Sequence, residues 1–301
     1  MADPHWTLDE LRRKIDEIDD ELHDLLMRRT EIVGEIGALK KNDRLPALRP
    51  GREAMILRRL MARHQGPLPR PLIVRIWREL LSGTIALQVD FAVAVYAPDS
   101  APGYWDIARD HYGSHTPMTA YSTAVQVLRA VTEGEASVGV LPIPQDGEAE
   151  PWWPHLSATD PATPKVIARL PFAGHGNARS GDAEALAIGR GDLEATGADR
   201  SLLVIDTSRE MSRGKLLSAL KAGGFEPAFL AAVERVPDFA ADLLELEGIV
   251  RADDKRLKDA LRPLGEATGA ISFLGGYARP LTPQEIASPR RGATRRRGQV
   301  P

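Results

Sequence analysis

Along the first part of the chain, Leu8, Leu11, Ile15, Ile18, Leu22, Leu25, Ile32, Ile36 and Leu39 recur at spacings of three and four, with Arg29 in the one place where the stripe is interrupted. That is the period of a helix with a single apolar seam, and it predicts one long helix over roughly 7–41. Turn-forming stretches at NDRLPALRPG (42–51) and QGPLPRP (65–71) bound two shorter helices, about 51–64 and 70–88. From Asp90 the pattern changes to short β-branched runs, FAVAVY and ASVGVLPI, alternating with helical stretches YWDIARDHYG and STAVQVLRAVTEG. This is the rhythm of a small α/β unit. A Pro- and Trp-rich connection follows, in which Trp152 and Trp153 are expected to anchor against a core, then two strand candidates, VIARLPF and EALAIGR. From Arg200 the order reads strand, helix, strand, strand, helix, strand: a βαββαβ unit. The segment PRRGATRRRG near the end has too few apolar groups to pack and reads as a disordered basic tail.

A helix of some 34 residues extends about 50 Å, more than two shorter helices can cover, so an intertwined dimer is expected to bury the rest of its seam. Arg29 sits in that seam. Lys40, eleven residues later, is offset by only about 20° around the helix and faces the same way, while Arg12 lies at the seam's edge beside Leu11. A guanidinium in an apolar seam needs an anion, or must reach solvent with its head group. Glu53 is the nearest plausible protein anion; the other reading is a preorganised pocket for a dianionic small molecule. Thr84 and Gln88, four residues apart on one helix face, add neutral hydrogen-bonding groups.

Composition narrows the chemistry. The 301 residues contain no cysteine, which excludes a disulfide scaffold, a thiolate metal site and a thiol nucleophile. With 39 Lys+Arg against 42 Asp+Glu the net charge is −3, without the basic excess of a nucleic-acid binder. The amino end, MADPHWTLDELRRK, is acidic and polar where a secretory signal would be basic and then apolar, and no run has the length of a membrane span, which reads as a cytoplasmic protein. Among the histidines only His111 and His115 are four apart, and Gly113-Ser114 between them ends the helix that would align them, so no metal is assigned.

The strings LDELRRKIDEIDDELHDLLMRRTEIVGEIGALK, RPGREAMILRRL and IWRELLSGTIALQ together resemble the all-helical chorismate mutases over nearly all of residues 7–88. By this resemblance Arg12, Arg29, Lys40, Arg52, Glu53, Thr84 and Gln88 fall on the family's active-site positions, with Arg12 entering the other subunit's site in an interlocked homodimer. The implied reaction rearranges chorismate to prephenate, in aromatic amino acid biosynthesis, without nucleophile, metal or cofactor. Arg12 and Arg29 would clamp the two carboxylates, Lys40 and Gln88 would meet the ether oxygen, Arg52 and Glu53 would position the ring hydroxyl, and Thr84 would support a carboxylate. One departure is visible: where the family often has an acid just before the Arg-Glu pair, this chain has Arg49.

The next region is similar to the first half of a prephenate dehydratase, but its three motifs are altered. Two survive only as Ala97-Pro98-Asp99-Ser100-Ala101 and Pro142-Ile143-Pro144-Gln145-Asp146, and the third is missing near EALAIGR. It reads as a non-catalytic lobe. The last folded part resembles an ACT domain, which implies either an aromatic amino acid effector or a dimerisation module. The effector signatures are reduced to Gly214-Lys215-Leu216 and Glu234-Arg235-Val236-Pro237, making Gly214, Leu216, Glu234 and Arg235 the candidate effector residues. The expected organisation is therefore multidomain: a helical mutase domain (1–89), a degenerate dehydratase-like α/β lobe (90–198), a βαββαβ ACT-like domain (199–282) and the basic tail (283–301). Two other readings stand beside it: a bifunctional mutase and dehydratase, and a non-enzymatic amino-acid-sensing dimeric scaffold.

Overall fold

A computed structural model describes residues 6–43, 47–158, 160, 162–174, 176–179, 181, 183–191, 193–236 and 238–287. The amino-terminal third is three helices, α1 (Leu8–Asp43), α2 (Pro50–Arg63) and α3 (Arg70–Ile85). Thr7 starts α1 with a capping box: its hydroxyl accepts from the Glu10 N–H, and the Glu10 carboxylate accepts from the Thr7 N–H. Acids in its first turn and Lys40 and Lys41 in its last complement the helix dipole. Helix α3 ends three residues before the expected 88, and the chain leaves through a tight turn in which the Gln88 N–H donates to Ile85 O.

The three helices are covered very differently. Ala54, Leu57 and Met61 of α2 and Ile73 and Val74 of α3 are buried in one cluster with Phe172, Ala278 and Leu281 of the region that follows. On α1, by contrast, Leu8, Ile15, Ile18, Leu22, Leu25, Ile32 and Leu39 are each more than half exposed.

The remainder builds one nine-stranded sheet. Its elements are β1 (Val93–Tyr96), α4 (Gly103–Tyr112), β2 (Met118–Tyr121), α5 (Ala124–Glu133), β3 (Val138–Pro142), β4 (Lys165–Leu170) and β5 (Ala185–Gly189), then β6 (Asp199–Ser208), α6 (Arg213–Ala222), β7 (Pro227–Val236), β8 (Phe239–Glu247), α7 (Lys255–Leu261), β9 (Thr268–Ala278) and a final turn of helix, α8 (Pro283–Ile286). The strand order is β2-β1-β3-β5-β4-β9-β6-β8-β7. Strand β1 pairs in parallel with β2 and β3, whereas β3–β5, β4–β5, β6–β9, β6–β8 and β7–β8 are antiparallel. The second group has the predicted βαββαβ order, with α6 and α7 packed on Leu203, Ile205 and Leu244.

The two groups of strands join where β4 runs parallel to β9 at Val166 and Gly275. Gly275 has φ 123°, and a Cβ there would lie 2.2 Å from Val166 O, so glycine alone permits this approach. The sheet thus runs unbroken across residue 198, where sequence texture had placed a change of domain. Trp152 and Trp153 are buried beside α5, and the Trp152 indole N–H donates to Pro142 O.

Two expectations are corrected. Strand β2 is not among the predicted strands because its four residues, MTAY, are too few to show a period; it is an edge strand paired with β1, with Met118 and Tyr121 packed against the core. Residues 283–287, assigned to the basic tail, are ordered: a Thr282–Glu285 capping box forms α8, Arg279 pairs with Glu285 at 3.1 Å, and Ile286 packs on the Leu57 cluster. The rest of that expected tail, 288–301, lies outside the described residues.

Candidate functional site

Helix α1 carries the cations on its open face. Arg29 is half-buried, burial lowers its pKa, and among the described residues it has no ion pair or hydrogen bond. Glu53, the nearest plausible protein anion by sequence, is not its partner. Glu53 is buried on α2 and accepts from Arg78 of α3 at 2.8 Å, in a pair whose side chains are 12% and 5% exposed. Arg29 is therefore left for some other anion.

Arg78 is the residue that sequence reasoning missed. It carried the same signal as Arg29, a cation among apolar positions at spacings of three and four, here Val74, Leu81 and Ile85. Burial pushes the Glu53 carboxyl up, and the adjoining guanidinium pulls it back. The Phe172 ring lies 5.1 Å from the Arg78 guanidinium carbon. His111 and Tyr112 of α4 are buried nearby, the imidazole held well below its usual pKa by burial and then by Arg78. Glu53 is thus supported from α3 and, through Arg78, from the sheet region.

Lys40 is half-buried at the end of α1 and donates to Ala47 O at 3.1 Å. Desolvation and then Arg49 lower its pKa, while Glu194 and Glu53 act in the opposite sense. Gln88 reaches the same end of α1: a Cβ placed on Gly37 would lie 2.9 Å from Gln88 Cγ, so the Gln88 side chain lies directly over the helix one turn before Lys40. Its Nε2 donates to Thr84 O, and among the described residues its second amide hydrogen is free and its buried Oε1 has no partner. Thr84 Oγ1 donates to Leu80 O and Leu81 O within its own helix, so its proton must turn before it can meet a carboxylate. Arg52 opens α2 with its side chain exposed.

The structure therefore brings Lys40, Glu53 and Gln88 to one end of α1, with Arg29 three turns back on the same helix. Arg12 does not join them. It pairs with Asp9 at 3.2 Å in solvent, and lies 17 positions from Arg29, about 25 Å along the helix at 1.5 Å per residue. Within one chain the two guanidinium groups cannot hold one small molecule.

The sequence profile described as "Chorismate mutase type II" matches residues 11–89. These residues are a chorismate mutase type II domain. The curated relatives are bifunctional chorismate mutase/prephenate dehydratases: that of Pseudomonas aeruginosa is 29% identical over 153 residues (49% of this chain, 41% of the relative) and that of Aquifex aeolicus is 31% identical over 140 (45% and 38%). The chain spans about two fifths of the length of these relatives. Among solved structures, the prephenate dehydratase from Arthrobacter aurescens in complex with L-Phe aligns over 64% of this chain and 92% of its own, at 15% identity and TM-score 0.44. In the mutase-type domain the Arg29, Lys40 and Gln88 face is also the face whose apolar neighbours are uncovered.

Elsewhere, the residues expected of an effector site are engaged. Leu216 is fully buried in the core beneath α6. Glu234 pairs with Arg209, and Arg235 with Asp206 at 3.3 Å. Gly214 lies open in the first turn of α6, and Pro237 lies outside the described residues. In the loop after β3, Asp146 accepts from Arg213 and from the Ala232 N–H. Among the described residues no helix is long and apolar enough to cross a membrane.

Proposed function

We propose that this chain is a cytoplasmic, homodimeric chorismate mutase whose α/β region has no dehydratase activity. The observation that carries the reading is Arg29: a half-buried guanidinium with no protein anion among the described residues, on the helix face where Lys40 and Gln88 also converge. A dianionic substrate supplies what that face lacks. The unpaired apolar seam of α1 supports the dimer, because a second copy laid along it would cover the exposed Ile and Leu side chains and bring its own Arg12 within reach of this chain's Arg29.

The rearrangement of chorismate needs its two carboxylates gathered over one another and negative charge stabilised on the breaking ether oxygen. Arg29 with the partner copy's matching arginine does the first, since planar guanidinium groups suit bidentate carboxylate contacts. Lys40 and the free Gln88 amide hydrogen do the second. Charge on that oxygen is larger in the transition state than in the substrate, so these contacts lower the barrier beyond merely binding. Arg52 and the Arg78-supported Glu53 orient the ring hydroxyl.

Dehydration of prephenate needs an acid at the departing hydroxyl. The altered loops offer Asp99 and Asp146, and Asp146 is already tied to Arg213 and Ala232, which supports a mutase acting alone over the bifunctional reading. An aromatic amino acid is proposed as an effector of the ACT-like part, with Gly214, Glu234 and Arg235 at its site. The decisive experiment follows chorismate absorbance with purified protein and tests for phenylpyruvate formed before any acid treatment. Prephenate as sole product is expected. Phenylpyruvate would establish the bifunctional enzyme, and unchanged chorismate would leave the sensing scaffold.

A further inference from the structure

Helix α2 begins without a cap of its own. Its N-cap residue, Arg49, has no acceptor, and Pro50 at the first helical position has no N–H, so the N–H groups of Gly51 and Arg52 must find acceptors elsewhere. The Arg52 N–H donates to Glu194 Oε2 at 3.1 Å, and the Arg49 guanidinium closes on Glu194 Oε1 at 2.5 Å from both Nε and Nη2. Glu194 lies 142 positions beyond Arg52, in the connection from β5 to β6. The fit is close, since a Cβ on Gly51 would lie 2.8 Å from Glu194 Cβ. Further along α2, Arg58 secures the same connection by donating to Thr196 Oγ1 at 2.8 Å and Ala198 O at 3.0 Å.

We propose that Glu194 is a positioning residue of the mutase site, supplied by the sheet region to hold the start of α2, and with it Arg52 and Glu53, in place beside Lys40. The inference rests on the mutase reading above. Glu194 does two jobs that no described residue of the helical part does. It caps a helix start whose own N-cap is a cation, and it occupies Arg49, which otherwise faces Lys40 as a second positive charge. With Glu194 neutralised, Arg49 is free to compete for the substrate's carboxylates. The dianion then still binds, but in poses that Lys40 does not serve. Loss of Glu194 should thus reduce turnover without weakening binding, a split that simple loosening of the fold does not produce.

The test uses the full chain and compares Glu194→Gln, Glu194→Ala and Glu194→Asp with Arg58→Ala, which loosens the same connection and leaves the carboxylate intact. Glu194→Gln and Glu194→Ala should lower kcat for chorismate about tenfold with KM unchanged or lower, and Glu194→Asp should recover part of the loss. Arg58→Ala should lower the melting temperature while keeping kcat. Parent-like kcat in both Glu194→Gln and Glu194→Ala, or an equal kcat loss in Arg58→Ala, overturns the proposal. Amide hydrogen exchange reads the contact without turnover: the Arg52 N–H should exchange about tenfold faster in Glu194→Ala. Unchanged exchange overturns the inference even if the parent protein proves inactive, whereas an inactive parent with accelerated exchange overturns the mutase reading alone.

Discussion

Two arginines in helix seams have met opposite fates. Arg78 is buried against Glu53, so its charge is settled within the fold; Arg29 is half-buried with no anion opposite it among the described residues. Arg78→Leu should therefore destabilise the protein by about 3–5 kcal/mol, because it strands a buried carboxylate, and Arg78→Leu combined with Glu53→Leu should cost less than Arg78→Leu alone. A double-mutant cycle in chemical denaturation measures this, and additive losses would contradict the pairing. Arg29→Ala should have the reverse character: little effect on stability, and kcat/KM lower by about a hundredfold or more, with Lys40→Ala alike. Parent-like rates in either would remove those residues from the site. Sequence made Arg29 legible because a charge broke a long, regular stripe. Glu194 was not legible, since a carboxylate 142 positions away announces its partner only once the chain has folded.

Among the elements, α1 carries the heaviest consequence. Its 36 residues were readable from their period of three and four, as were α2 and α3, because that spacing reports one apolar face whatever the face packs against. What the period could not tell is how little of the face its own chain covers. The uncovered seam, and the separation of Arg12 from Arg29, lead to a complementation experiment. If each site takes Arg29 from one copy and Arg12 from the other, Arg12→Ala and Arg29→Ala chains are each inactive alone. Refolded together at equal amounts, about half of the dimers should be mixed, each with one intact site, so about a quarter of parent activity should return. Absence of recovery, in a sample shown to contain mixed dimers, would falsify the shared site. Strand β2 illustrates the opposite limit: four residues at a sheet edge have no period to read and owe their form to a neighbour.

At the scale of the whole molecule, the helical part and the sheet are locked together by α2, which sequence alone placed in a separate domain. The locking contacts, Arg58 to Thr196 and Ala198, Glu194 to Arg52, and the Leu57 cluster with Phe172 and Leu281, all join positions far apart in the chain. The carboxyl-terminal turn belongs to this junction: Arg70 of α3 donates to Glu285 O, and Arg279, at the end of the sheet, pairs with the Glu285 carboxylate. Those hydrogen bonds from Arg279, with others from Thr282, draw the Glu285 pKa from 4.5 down to about 2. A carboxylate whose pKa is lower folded than unfolded adds stability that is complete above the unfolded value and fades as acid approaches the folded one. The contribution of Glu285 should thus be constant near neutrality, decline as pH falls below 4.5, and be gone near pH 2. Compared with the parent, Glu285→Gln should be less stable at pH 7, and the two denaturation midpoints should converge as pH falls through that interval. A difference that persists unchanged at the acid end would mean that Glu285 holds the junction by shape and neutral hydrogen bonds, and that its charge contributes nothing to joining the two halves.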